Sequence, residues 1–321
     1  MNQFEPIYKL TYGPLKDKVE LSPDFFTDFQ PSCRTEIVTR EAAFYRELTL
    51  PYSVDNQLDI SNISFQADDG YQVNIQKFQK KDHIPHATAL IFFHGGGFKT
   101  CSVETHRFVP AYLSANADVV AFSIEYRLAP EFRYPRGLED CYQAVRWISF
   151  ESDRLGIDAN RIVLCGDSSG GNFVAAITML ARERKDVQIE KQVLIYPALE
   201  FSGTVKKHSV KVYSSIGTAD NNEGIHCSPL MQDYLSNPEQ EVLNPLVSPI
   251  LADKFIGLPE ALFILAECDV YVDDGLIYAN QLQTAGIKVN CKVYEGMPHA
   301  FILRTYAETF EALDEICRFL R

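Results

Sequence analysis

Short uninterrupted apolar runs recur along this chain: "ATALIFF", "DVVAFSIEY" at 118–126, "RIVLCGD", "KQVLIYP" at 191–197 and "ALFILAE" at 261–267. A strand with one wet face alternates apolar and polar residues; these runs hardly alternate and are rich in β-branched residues. Strands of that kind are covered on both faces, as in a parallel sheet whose crossover helices lie above and below it. Helical patterning falls between and after them. "GLEDCYQAVRWISFES" is one such segment, and the closing "RTYAETFEALDEICRFLR" puts Tyr306, Phe310, Leu313, Cys317 and Leu320 on one stripe. "VNCKVYE" at 289–295 completes the set of strands. Ahead of them, "DISNISFQADDGYQVNIQKF" alternates on both sides of "DDG" at 68–70, which predicts a hairpin. The fold class is therefore α/β, with a mostly parallel sheet and helices on both faces.

Two intervals do not fit that rhythm. Residues 1–50 are mixed, with short amphipathic patches such as "SPDFFTDF" and "EAAFYREL". From Leu199 to about Leu246 no buried-strand pattern occurs, and the interval reads as an insertion above the sheet. With 321 residues, 46% of them apolar, the chain can bury one large core with such an excursion. The division expected is an N-terminal cap segment at 1–50, a core made of 51–198 and 247–321, and a cap insertion at 199–246.

Charge narrows the partners. There are 43 Asp and Glu against 30 Lys and Arg, a formal net charge of −13. Nucleic acid and anionic membranes call for basic patches, so neither is expected. The opening "MNQFEPIYKL" has no basic region ahead of an apolar core, and no stretch is apolar for long enough to cross a bilayer. The eight cysteines are scattered without a C-x-x-C. Reduced thiols and a cytoplasmic location are the expectation.

The stretch "RIVLCGDSSGGNFVAAI" passes from buried strand through crowded glycines into an apolar helix. Chance alone puts a G-x-S-x-G into roughly one chain in twenty of this composition, so its surroundings must decide whether it matters. Here the serine, Ser168, sits where strand turns into helix. Glycines at 166 and 170 would relieve the clash of strand on helix and leave the hydroxyl exposed for attack. A packing turn with an incidental serine is the competing explanation. A serine nucleophile needs a base, and the base needs an acid to orient it. His299 in "YEGMPHAFILR" lies after a sheet-edge strand and before the last helix, and Asp269 ends the run "ALFILAECD". The order Ser, Asp, His is that of an α/β-hydrolase. "HGGGF" at 94–98, directly after "ALIFF", offers backbone N–H groups to a developing oxyanion, as does the N–H of Ser169. His94 is expected to brace that loop. A phosphate-binding loop would carry G-K-[ST], which is missing. His83 and His86 in "HIPH" lack a third metal ligand at any recognisable spacing, and "DVYVDDG" lacks that of a calcium loop.

Taken together, "HGGGF", "EYRLAPEFRYPRGLEDC", "GIDANRIVLCGDSSGGN", "SPILADKFIGLPEALFILAECD" and "YEGMPHAF" resemble the hormone-sensitive-lipase-like carboxylesterases, including bacterial acetyl esterases, over about 85–320. The resemblance implies an α/β-hydrolase with an eight-stranded sheet and a helical cap. It implies Ser168, Asp269 and His299 as a triad, and Gly95, Gly96, Gly97 and Ser169 as the oxyanion hole. Two positions depart from the family. Val270 and Tyr271 stand where Asp-Pro-Leu is usual, which leaves Asp273 as a rival acid, and Ser169 stands where alanine is usual.

These readings predict a serine carboxylesterase acting on short- to medium-chain acyl esters, without cofactor or metal. Amide hydrolysis by the same groups, and a catalytically silent binding protein of this fold, are the alternatives. The expected partner is a small-molecule ester; a homodimer stays open.

Overall fold

The computed structural model describes residues 10–17, 19, 31–82, 85–214 and 229–321. The expected hairpin is β1 (Leu58–Gln66) and β2 (Gln72–Lys80), antiparallel across a turn in which Gly70 takes a positive φ of 85°. The remaining strands are parallel: β3 (Ala87–Phe93), β4 (Val119–Glu125), β5 (Ile157–Asp167), β6 (Lys191–Ile195), β7 (Glu260–Cys268) and β8 (Val289–Pro298). Only the pairing of β2 with β4 is again antiparallel. Among the described residues they form one eight-stranded sheet in the order β1-β2-β4-β3-β5-β6-β7-β8.

Side chains alternate between two apolar layers. Ala89, Ile91 and Phe93 of β3 enter the core on one face, and Leu90 and Phe92 the core on the other. The first layer is closed by helices α3 (Arg136–Phe150), α5 (Ser169–Arg184) and α9 (Val272–Thr284). The second is closed by α2 (Phe108–Ala117) and α10 (Ala307–Leu320), with Tyr45 of α1 (Arg34–Thr49) joining it. A single turn, α4 (Ser152–Leu155), leads into β5. Between β6 and β7 the described residues hold three short α-helices, a 3-10 turn at Pro249–Leu251 and no strand: α6 (His208–Tyr213), α7 (Pro229–Tyr234) and α8 (Pro238–Glu241). None of the helices described is long and apolar enough to cross a membrane.

Strand order places the site. The chain runs from β3 outward to β4 and then returns past β3 to β5, so its direction of winding reverses there. At such a switch point the loops leaving neighbouring strands diverge and open a crevice at their C-terminal ends. Phe93 pairs with Gly166, so "HGGGF" and Ser168 leave the sheet side by side.

Candidate active site

The turn from β5 to α5 is tight. Ser168 adopts φ 53° and ψ −119°, a conformation that costs an L-residue about 1–3 kcal/mol. Its backbone is held on both sides: its N–H donates to the Ile195 carbonyl at 2.9 Å, and its carbonyl accepts the N–H of Asn172 at 3.1 Å. A Cβ on Gly166 would lie 2.5 Å from the Gly170 carbonyl oxygen, and one on Gly170 would lie 2.0 Å from that of Phe93. Only glycines let helix α5 approach β3 and β5 this closely.

The structure brings Ser168, His299 and Asp269 into one hydrogen-bonded line. Ser168 Oγ lies 2.9 Å from His299 Nε2, and His299 Nδ1 lies 2.6 Å from Asp269 Oδ2. With Nδ1–H donated to the carboxylate, Nε2 is left to accept the serine proton. Asp269 is buried, and its second oxygen takes the Tyr271 N–H at 2.9 Å. The rings of Tyr196 and Tyr271 stand 4.8 and 5.3 Å from the imidazole. Burial is the largest influence on His299 and lowers its pKa. The charge and hydrogen bond of Asp269, with the charge of Asp167 behind them, outweigh burial and leave the imidazole above its ordinary value.

Asp273 is elsewhere. It accepts the Tyr12 hydroxyl at 2.8 Å and the N–H groups of His208 and Ser209 at 2.6 and 2.9 Å, so it ties the start of α6 to the start of α9.

In the "HGGGF" loop the three glycines are not equivalent. Gly95 donates its N–H to Asp167 Oδ1 at 2.8 Å, so that amide already has an acceptor, unlike the role expected of it from the sequence. The N–H groups of Gly96 and Gly97 meet no acceptor among the described residues. Ser169 opens α5, where a first-turn N–H has no intrahelical partner. Its hydroxyl accepts the Phe98 N–H at 3.3 Å, which links the two loops. His94 braces the loop: its ring stacks on Tyr126 at 4.3 Å, and its Nδ1 lies 2.7 Å from the Gly95 carbonyl. Burial, helped by the charge of His106, pushes its pKa down to about 3, so it stays neutral.

Several supporting groups escaped the sequence reading. Asp167 is fully enclosed, and besides Gly95 it faces His106 Nε2 at 3.2 Å. Burial raises its pKa, but the charges and hydrogen bonds around it, His106 first, hold it below the usual carboxylate range. Its position beside Ser168 was a signal, since a carboxylate ending a buried strand must find donors. Glu41 of α1 accepts the Thr100 hydroxyl at 2.8 Å and the Cys101 N–H at 3.1 Å, steadying the same loop from outside. From "EYRLAPEFRYPRGLEDC", Arg127 forks onto buried Asp140 and reaches Asp69 in the hairpin turn.

The α/β-hydrolase fold family matches residues 90–303. This chain belongs to that family. Two curated relatives of this α/β-hydrolase are an ethyl acetate hydrolase of Pseudomonas putida and an arylesterase of Saccharolobus solfataricus. The first is 32% identical and covers 76% of each chain. The second is 33% identical over 66% of this chain and 68% of its own. Among solved structures, a hyperthermophilic esterase from the archaeon Pyrobaculum calidifontis superposes with a TM-score of 0.82 at 31% identity, covering 91% of each chain. The α/β-hydrolase thus falls among the hormone-sensitive-lipase-like carboxylesterases.

Proposed function

We propose that this serine carboxylesterase hydrolyses short- to medium-chain acyl esters through an acyl-enzyme formed on Ser168. The observation that carries the reading is the unbroken line from Ser168 Oγ through the imidazole of His299 to buried Asp269. As Oγ attacks the carbonyl carbon, Nε2 takes its proton. Asp269 holds the imidazole in the tautomer that can do so and stabilises the imidazolium that results. The carbonyl oxygen, now negative, is met by the N–H groups of Gly96, Gly97 and Ser169. The proton passes to the leaving alcohol. Water then attacks the acyl carbon, giving its proton to His299, and Ser168 is restored.

A pH profile tests the base. His299 must be neutral to accept the proton, and Asp269 holds its pKa above the ordinary 6.5. Activity should therefore fall as pH drops through a value above 6.5, along a limb that follows a single proton in kcat/KM. An acid limb well below 6.5 would remove His299 from this role.

Substrate size follows from the cap, which we assign to 1–50 and 199–246. Tyr234 of α7 stacks on Phe98 at 3.9 Å, so the insertion bears directly on the oxyanion loop. Phe44 lies under Arg304, Tyr213 is buried, and Leu230 is half-buried; Phe25 and Phe26 lie outside the described residues, as does His83. In the sequence neither 1–50 nor 199–246 carries the long apolar face of a lid that docks on lipid. The relatives' names, ethyl acetate hydrolase and arylesterase, point to small esters as well. Across p-nitrophenyl esters of graded acyl length, kcat/KM is expected to peak between acetate and the medium chains. A preference for emulsified long-chain triglycerides would overturn this assignment.

A further inference from the structure

Among the described residues β8 is the edge of the sheet, and its ladder partner is β7 alone. That ladder is interrupted just where it approaches the site. Ala266 pairs with Tyr294, and the next pair is Cys268 with Pro298, so Glu267 stands opposite a bulge formed by 295–297. The buried side chain of Glu267 fills the break. Its Oε2 accepts the Gly296 N–H at 2.8 Å, while its Oε1 accepts the Gly13 N–H at 2.9 Å and the Thr11 hydroxyl at 3.2 Å.

The N-terminal residues complete the arrangement. The Lys16 N–H donates to the Gly296 carbonyl at 3.1 Å. The Gly13 carbonyl accepts the Tyr213 hydroxyl of α6 at 2.9 Å, and Tyr12 reaches Asp273. Residues 11–16 therefore cross the ends of both strands. Glu267 lies two residues before Asp269, and Gly296 lies three before His299.

We infer that Glu267 is a positioning residue that sets the separation of Asp269 and His299 by fastening residues 11–16 across the bulge. It acts through the backbone at the ends of β7 and β8, and the inference rests on the triad proposed above. An edge strand carrying a base on an irregular end needs such a brace, because displacements of about 1 Å in a catalytic group lower rates by about 10²-fold.

Glu267→Gln tests it. A carboxamide has one accepting oxygen, so its NH₂ group must face one of the donors now bound. The expected result is a kcat lowered by about 10- to 100-fold with KM little changed. The acid limb should also move down toward the ordinary imidazole value, because a loosened Asp269 supports the imidazolium less. The groups facing His299 are Asp269, Asp167 behind it and the Tyr196 and Tyr271 rings; these are unaltered by the substitution. The double variant Thr11→Val, Tyr213→Phe loosens the same residues without changing charge, and it carries the test should Glu267→Gln fail to fold. It should shift kcat and the acid limb in the same directions by a smaller amount. Folded variants with a lower melting temperature but wild-type kcat and acid limb would overturn the inference. Organophosphate labelling of the wild-type protein separates the two readings: absence of label on Ser168 strikes at the proposed triad, not at Glu267.

Discussion

Replacing Ser168 with alanine is expected to abolish labelling by a serine-directed organophosphate and to lower kcat by about 10⁴-fold or more. Among the described residues its hydroxyl makes one hydrogen bond, to His299, and it sits half-exposed, so folding should lose only about 1 kcal/mol. Ser169→Ala is the informative comparison. It keeps the backbone N–H proposed for the oxyanion and removes the hydroxyl that accepts the Phe98 N–H. That variant should stay labelled and active while losing about 1–3 kcal/mol of stability, because a buried donor is left without an acceptor. Mass spectrometry of the labelled peptide, steady-state kinetics and thermal unfolding measure all three quantities. Label lost from Ser169→Ala but retained in Ser168→Ala would reassign the nucleophile.

Asp269→Asn should be nearly as severe, with kcat lowered by about 10⁴-fold and the fold retained. An asparagine that presents its NH₂ group to Nδ1 favours the tautomer in which Nε2 carries the proton and cannot accept another. It also leaves the imidazolium without a counter-charge. Asp273→Asn should behave oppositely. Asp273 secures Tyr12 and the first N–H groups of α6, so its loss should appear mainly as a stability decrease of about 1–3 kcal/mol, with activity kept within about ten-fold. Kinetics and melting curves of the two variants side by side decide the matter. Should Asp273→Asn prove the more inactive, the acid has been misplaced.

The central strands were legible because burial on both faces writes an unbroken apolar run, and the hairpin because one exposed face writes alternation. Helix α2 was not legible for the same physical reason. "FVPAYLSANA" is buried around most of its circumference, from Val109 to Ala117, so it has no polar stripe to give a period. The proposed nucleophile was legible locally, since a strand, a glycine-crowded turn and a helix are contiguous in sequence. Its supports did not. His106 faces Asp167 across 61 positions, and Thr11 meets Glu267 across 256. Glu267 reads as an ordinary charge at the end of an apolar run until the bulge opposite it is seen. Which glycine amides of "HGGGF" are free depends on where the Asp167 side chain turns, and no spacing rule contains that.

The backbone of Ser168 has a bearing on how such a protein could be hardened. Its φ and ψ match the first central position of a type II′ turn, where glycine is at ease and serine is not. A library screened for heat resistance alone would reward glycine at this position and deliver a sturdier, inert molecule. With Ser168 as the proposed nucleophile, the strain held at this turn is the cost of presenting its hydroxyl to a substrate. Engineering for thermostability must then be paired with an activity screen at this one codon above all, and the stabilising changes sought in the sheet layers, far from the turn.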